Sequence, residues 1–543
     1  MNDFKQIFES KYTWHEGFMR NVRRYADKAA VIDPLRQQTL TYAQLNDEAT
    51  RLAAAMLRDG FKQGDVVMIM LQNCQEFVFA YVAAHKTRGV CCPVSFRLSA
   101  GELAYAIDDA KPCVFIYGEK FSATVNTALQ STKHHPRCVV VTGNDADASA
   151  TTYKNYVGAV GRATPALPDF GHCIYDETLR LYTSGTTGRP KAVPILSINE
   201  VLSAHDVMMQ LPMNADDTTM NTTPWFHRGG IHSGGPGCVL YAGASLVIMD
   251  KFAADLALSY IGKYGITYVI GVPTVLDSMA DEQEKHAYDI SAIRGFIAMG
   301  SPLEHEACIR YQRVLTPNIF NGYGTTETFW NTMLRPNDLF DHAGTAGRAC
   351  TDDDVRVVRI YDDREAEPDD TVATDNHEVG EVIVCTPAKS PYRYHDGSLE
   401  TQNKFYKGFV YTNDLAVWDK DQFITILGRK DDMIISSGEN IYPAEIEAVI
   451  DAHPKVKDCI VTSVPDRVRG QKVTAYVVAE DPTLTAEELD DYCKQSHEIA
   501  NFKRPRLYRF VDSIPENTLG KKMHVEMNRI AAADLKNGLL QEV

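Results

Sequence analysis

The stretch Tyr182-Thr183-Ser184-Gly185-Thr186-Thr187-Gly188-Arg189-Pro190-Lys191 decides how this chain is read. It follows a short apolar run ending at Leu181. Gly185 and Gly188 let the backbone turn tightly and bring its N–H groups close to an anion. Ser184, Thr186 and Thr187 add hydroxyl donors, and Lys191 adds a point charge. Together they describe a phosphate clamp. The spacing does not fit GxxxxGK[ST], so this is not a Walker A loop. The alternative is a plain polar surface loop.

Outward from that stretch, helices and strands alternate. Thr41-Tyr42-Ala43-Gln44 reads as a capping box opening a helix with Leu45, Ala49, Leu52, Ala53 and Met56 on one face, ended by Gly60. Val66–Leu71, Val90–Pro93, Val114–Tyr117 and Cys138–Val141 are short apolar runs that read as buried strands, with helices over Glu76–His85 and Leu103–Asp108. After the clamp come a helix at Asn199–Met209 and strands at Leu246–Met249 and Tyr268–Gly271, and Ile297–Pro302 and Ile319–Glu327 each read as a strand running into a tight turn. This alternation predicts an α/β fold: a large N-terminal domain of mainly parallel sheets flanked by helices. Val/Ile-rich strands at 355–361 and 379–385 predict a small β-barrel-like subdomain. Beyond Gly428-Arg429-Lys430-Asp431-Asp432, Pro443 opens a helix, Ile460–Val464 and Val473–Val478 read as strands, and Ala486–Ser496 as a helix. This is a small α+β unit. The predicted domains are 1–430 and 431–543, with consecutive charges marking the linker.

At 543 residues the chain exceeds one ordinary core, and its 44 % apolar content is that of a globular protein. A formal charge of −17 argues against nucleic acid and anionic membrane as partners. No signal peptide and no membrane-spanning run is read. Twelve scattered cysteines without a CxxC predict reduced thiols, no zinc site and a cytoplasmic protein.

Five stretches then resemble, in order, the motifs of the acyl-adenylate-forming (AMP-binding) superfamily. They are Thr183–Lys191, Tyr323-Gly324-Thr325-Thr326-Glu327, Tyr411-Thr412-Asn413-Asp414, Gly428–Asp432 and Thr518-Leu519-Gly520-Lys521. The chain looks like the acyl/aryl-CoA ligase branch, and its C-terminal third looks closest to chlorobenzoate:CoA ligases. The resemblance implies that ATP is held by Thr183, Ser184, Gly185, Thr186, Thr187, Gly188 and Lys191. It adds Gly300, Ser301 and Pro302 as one adenine wall and Asn321, Gly322, Tyr323, Gly324 and Thr326 as the other. Asp414 and Arg429 fall at the ribose. Glu327 is a hard oxygen ligand suited to Mg²⁺ on the ATP phosphates. Asn413 stands where the family usually has glycine.

Lys521, His227 and Thr183 are the catalytic residues implied, Lys521 reaching the α-phosphate and the attacking carboxylate. By family position, Phe226, His227, Met299, Gly300 and Tyr323 border the acyl group. Arg228 is read as pairing with a second carboxylate or a polar tail of the acid, or as pointing to solvent. The glycines at 229, 230, 234, 235 and 237 leave room for a bulky acid or only permit close packing. Coenzyme A contacts are expected from Ser437, Gly438, Glu439, Phe502 and Arg504, with Ser437 in place of a usual glycine. Asp431 takes the hinge position of a small mobile C-terminal domain.

The activity implied is an ATP- and Mg²⁺-dependent acid:CoA ligase, an aromatic or cyclic acid being favoured. The alternatives are an enzyme loading a separate carrier protein and a medium-chain or carnitine-like acyl-CoA ligase. The chain ends at Val543, soon after Lys521, so a free thiol acceptor is expected. The partners are then a small carboxylic acid, ATP and CoA, with a homodimer compatible.

Overall fold

The structure, a computed structural model, describes residues 2–543 apart from 145–149, 162–163, 184–189, 302, 362–363, 396–403, 437–438, 468, 497–498 and 517–520. Its packing divides the chain into two compact units. The first is Met1–Val355 with Val384–Val410, and the second is Arg356–Ile383 with Tyr411–Val543. The division differs from the predicted limit at 430/431: residues 411–430 pack with the second unit.

In the first unit, among the described residues, two sheets carry the architecture. A seven-stranded sheet runs, by position, Thr151–Thr152, Cys138–Thr142, Val114–Gly118, Val66–Met70, Val90–Pro93, Glu177–Thr183, Lys191–Leu196. All of its pairings are parallel except the last. Val66–Met70 is buried at every position, as a central parallel strand covered on both faces must be. A nine-stranded sheet joins Ala29–Asp33 to Ser245–Val247 in parallel and continues through Thr218–Asn221, Tyr268–Gly271 and Gly295–Met299 to Ile319–Thr325. Antiparallel strands close both its ends. The helix Tyr42–Arg58 begins with the full capping box predicted at Thr41 and Gln44.

In the second unit, Phe409–Trp418 and Ile424–Arg429 form an antiparallel hairpin, part of a five-stranded sheet that stands where the barrel-like subdomain was expected. A six-stranded sheet follows, centred on Gly470–Ala479, with Val456–Asp466 antiparallel and Leu507–Phe510 parallel to it. Pro443 stands at the start of the helix Pro443–Asp451, where its missing N–H costs nothing. Ile446, Val449 and Ile450 bury that helix in a core with Val461, Val473 and Leu489.

Candidate active site

The two ends of the stretch at 182–191 lie on paired antiparallel strands. Thr183 ends the strand Glu177–Thr183 and pairs across with Lys191, the first residue of Lys191–Leu196. Ser184, Gly185, Thr186, Thr187 and Gly188 lie outside the described residues. Tyr182 anchors the outgoing strand through its hydroxyl, which donates to Asp109 Oδ2 at 2.6 Å. The Lys191 ammonium lies 5.3 Å from the ring centroid of Tyr394.

That same Tyr394 donates a hydrogen bond from Oη to Glu327 Oε1 at 2.6 Å. Glu327 occupies the tight turn between Ile319–Thr325 and Phe329–Leu334, where Thr325 pairs with Phe329. The turn explains its glycine: a Cβ on Gly324 would lie 1.6 Å from the Phe329 carbonyl oxygen. Glu327 is buried. Burial alone would raise its pKa, but Lys404, the Tyr394 hydroxyl and nearby donors outweigh it and hold the carboxyl below its ordinary value. The site therefore keeps an ionised carboxylate in a dry setting.

The remaining nucleotide candidates of this unit sit at strand ends. Gly300 follows Gly295–Met299 at φ +87°, a conformation that favours glycine, and Ser301 is half-buried beside it. Pro302 lies outside the described residues. Tyr323 is half-buried, while Asn321 is buried and donates from Nδ2 to the Thr345 carbonyl at 3.0 Å. That amide serves the scaffold. Gly322 backs onto the Trp330 indole: a Cβ there would lie 3.0 Å from Nε1. Thr326 offers its carbonyl to Arg228 Nη1 at 2.7 Å.

Around the expected acyl position, Phe226 is buried edge-on against Phe96, centroids 5.3 Å apart, and lies 4.3 Å from the His227 ring. Burial, with the charge of Arg97, lowers the His227 pKa to about 4, so the imidazole is neutral at physiological pH. Met299 is buried against Gly229, whose Cβ would approach Met299 Cε to 3.0 Å. Two readings are settled here. Arg228 neither reaches solvent nor meets a carboxylate by hydrogen bond. It is buried and donates to the carbonyls of Thr326 and Lys389, because the helix Arg228–His232 turns it into the interior. The glycine run serves close packing. A Cβ on Gly230 would stand 2.0 Å from the Pro224 carbonyl oxygen, and one on Gly235 1.9 Å from that of Gly230.

In the second unit, Asp414 and Arg429 face each other across the hairpin, with Arg429 Nη1 2.9 Å from Asp414 Oδ1. Asn413 sits at φ +65°, which accounts for the glycine usual in the motif, and asparagine is the side-chain-bearing residue that tolerates it well. Its Nδ2 donates to Asp431 Oδ2 at 3.2 Å, and Glu381 binds both the Asn413 N–H and Lys430 Nζ, each at 3.1 Å. Lys521 is exposed. Its neighbours are fixed: Lys522 pairs with Asp458 at 2.9 Å and Asp451 at 3.2 Å, and His524 Nε2 lies 2.9 Å from Glu447 Oε1. Ser437 and Gly438 lie outside the described residues. Of Glu439 only the backbone is described, paired with Ser436. Phe502 is exposed, as a stacking residue requires. Arg504 is not: it pairs with Asp490 and donates to Asn501 Oδ1 at 2.8 Å. A phosphate contact by Arg504 would have to compete with that carboxylate.

Residues 18–390 match the family described as AMP-binding enzyme, and residues 445–521 match AMP-binding enzyme C-terminal domain. The chain belongs to the AMP-binding enzyme family. The predicted hinge at Asp431 falls between the two matched regions. Long-chain-fatty-acid–CoA ligase FadD13 of Mycobacterium tuberculosis is 30 % identical over 496 residues, 91 % of this chain and 93 % of that one. The 2-succinylbenzoate–CoA ligase of Bacillus subtilis is 28 % identical over 502 residues, 92 % of this chain and 94 % of that one. Among solved structures, the O-succinylbenzoate coenzyme A synthetase (MenE) of Bacillus subtilis in complex with ATP and magnesium ion superposes with a TM-score of 0.79. It is 25 % identical and covers 94 % of this chain and 98 % of that one. This AMP-binding enzyme thus stands among the AMP-forming acid–thiol ligases.

The donor set fits magnesium held in the manner of nucleotide enzymes. No cluster of three or more His, Cys, Asp or Glu side chains able to hold a metal occurs among the described residues. Glu327 is instead a single ionised carboxylate, and one carboxylate completed by substrate phosphates is an ordinary Mg²⁺ arrangement. Tyr394 escapes a reading of the sequence, and Arg228 is read there without its true partners. Tyr394 and Arg228 acquire their roles only from partners far along the chain. The described cysteines are all free, and no described helix is long and apolar enough to cross a membrane.

Proposed function

We propose that this AMP-binding enzyme activates a carboxylic acid with ATP and passes the acyl group to coenzyme A, with an aromatic or cyclic acid as substrate. The observation that carries the reading is the pairing, in one unit, of a cation at the end of the phosphate hairpin with an ionised buried carboxylate. Lys191 lies over the Tyr394 ring, and Glu327 accepts from the Tyr394 hydroxyl. In the first step an oxygen of the acid attacks the α-phosphorus of ATP and pyrophosphate leaves. The hairpin at Thr183–Lys191 holds the outer phosphates against charge that grows as the bond breaks. Magnesium, bound through Glu327, supplies neutralisation of phosphate charge. Lys521 serves the α-phosphate and the carboxylate, while Tyr323 and Gly300–Ser301 flank the adenine. Asp414 accepts from the ribose hydroxyls, with Arg429 orienting it through their ion pair.

In the second step the thiolate of coenzyme A attacks the acyl carbonyl and AMP leaves. Phe502 stacks on the CoA adenine, and the 436–440 turn borders the thiol. Neutral His227, beside Phe226, borders the acyl group without adding charge. The aromatic contacts of Phe226, Phe96 and Phe121 support a flat acid, and the sequence likeness to chlorobenzoate ligases points the same way. Asp431 is the pivot for rotation of the C-terminal domain between steps. The free thiols support a cytoplasmic location, and a homodimer remains compatible with the reading. The test is a pyrophosphate-release screen over aryl, cyclic and straight-chain acids, each without acceptor, with CoA and with a phosphopantetheinylated carrier protein. Release with aryl acids and thioester formation on CoA supports the proposal. Release only with straight-chain acids, or thioester only on the carrier, overturns the corresponding half.

A further inference from the structure

We propose that Tyr394 is a positioning residue for ATP activation, setting Glu327 and Lys191 at a fixed separation so that metal and phosphate are gripped together. The inference rests on the roles proposed above for those two residues. Tyr394 lies in Pro391-Tyr392-Arg393-Tyr394-His395, outside both matched family regions. It is nevertheless held beside the phosphate hairpin: the His395 N–H donates to the Ala192 carbonyl at 2.9 Å, one residue beyond Lys191. A second tie comes from Asn199 Nδ2 to the Ala388 carbonyl at 3.0 Å. The ring leans on Phe405, centroids 5.4 Å apart, and is buried, which limits its rotation.

Two different surfaces of the one side chain are in use. The hydroxyl donates to Glu327 Oε1 at 2.6 Å, a short charge-assisted bond that fixes the carboxylate plane. The ring attracts the Lys191 ammonium at 5.3 Å. One side chain thus touches both the ammonium assigned to phosphate and the carboxylate assigned to the metal. Removing the hydroxyl alone should loosen the metal side, and removing the ring should loosen both.

The test is calorimetric binding of ATP in EDTA and in Mg²⁺ to the full chain, with no turnover. In Tyr394→Phe, ATP affinity in EDTA should stay within about twofold, while the gain on adding Mg²⁺ falls roughly tenfold, the effect of one hydrogen bond to a charged group. Tyr394→Leu should lose that gain and also weaken ATP in EDTA by roughly threefold, the size of an exposed cation–π contact. Glu327→Gln is the control for the underlying reading. If it keeps the wild-type magnesium gain, Glu327 is not the metal residue and this inference falls with that assignment. If it loses the gain and Tyr394→Phe keeps it, the metal reading stands and the role of Tyr394 is refuted. Should the Phe variant fail to fold, 3-fluorotyrosine placed at 394 in otherwise native protein gives a second readout. Its fluorine resonance should move with ATP and again with Mg²⁺, and a signal indifferent to both overturns the proposal.

Discussion

Replacing Arg228 by methionine is expected to damage the active site from behind. The guanidinium is buried and joins two segments by hydrogen bonds to the carbonyls of Thr326 and Lys389. Burial pushes its pKa down to about 9, and Glu327, Glu200 and Asp353 offset part of that effect. Methionine fills similar volume but leaves two interior carbonyls without a donor, each costing about 1–3 kcal/mol. Relief of the buried charge returns part of that, so a net loss of about 3 kcal/mol is reasonable. Unfolding entropy is about 2 cal/mol/K per residue, so for a unit this large the Tm falls by roughly 4 °C. The larger effect is on chemistry. Thr326 precedes Glu327, and a reacting group displaced by about 1 Å can cost about 100-fold in rate. Single-turnover pyrophosphate release should therefore drop by roughly that factor, while acid binding changes little. Arg228→Lys, which reaches one carbonyl at a time, should fall between. A folded Arg228→Met variant that releases pyrophosphate at the wild-type rate would refute the idea that this arginine sets the position of Glu327.

Three further outcomes are expected. Lys521→Ala should slow adenylation by roughly 100-fold or more yet spare thioester formation from a supplied acyl-adenylate, since its charge is needed only as pyrophosphate leaves; equal loss in both half-reactions removes the assignment. Asp431→Pro, which fixes φ and restricts Lys430, should still release pyrophosphate in a single turnover but transfer little acyl group to CoA; wild-type thioester formation in a folded variant places the pivot elsewhere. Burial works to lower the His524 pKa, but Glu447 and Asp432 outweigh it and the opposing Lys522, so the net shift is upward. The stability from that shift is fully present below the unfolded value near pH 6.5 and is lost as pH rises through the folded value. Proteolytic protection of the C-terminal unit should therefore fall as pH rises above about 6.5 in wild type and stay flat in His524→Gln, and parallel profiles would exclude the histidine as the source.

Element identity was legible wherever burial leaves a local mark. Val66–Met70 and Val114–Gly118 read as strands because both faces are covered, which demands an unbroken apolar run. Thr41 and Gln44 announced a helix start because capping is a contact over three residues. Pairing partners left no such mark. Nothing local in Ala29–Asp33 says that it lies parallel to Ser245–Val247, since any apolar strand offers the same backbone groups. The limit between units is set by a related effect. Lys430 and Asp431 look like a solvated linker, yet Lys430 Nζ binds Glu381 and Asp431 Oδ2 accepts from Asn413, so these charges are held within the second unit.

The site divides along the same line. Lys191, Glu327 and Asp414 stand out because they lie in motifs of unusual composition: Gly324 is required by the turn before Glu327, and glycines and hydroxyl residues precede Lys191. Arg228 was seen but misdirected, since its position after His227 carries no information about which way a five-residue helix turns it. Tyr394 was not seen at all, because its place depends on contacts with Ala192, Asn199 and Glu327, all far away along the chain. The departure at Asn413 is the instructive case. A left-handed backbone asks for glycine because glycine has no Cβ, and asparagine meets the same demand at modest cost. What glycine cannot do is donate to Asp431, and here Asn413 Nδ2 does so at 3.2 Å. The substitution therefore keeps the bend that presents Asp414 and adds a polar tie to the proposed pivot. Rotation about Asp431 in this chain would have to stretch or break that bond, a restraint that a glycine at 413 would not impose.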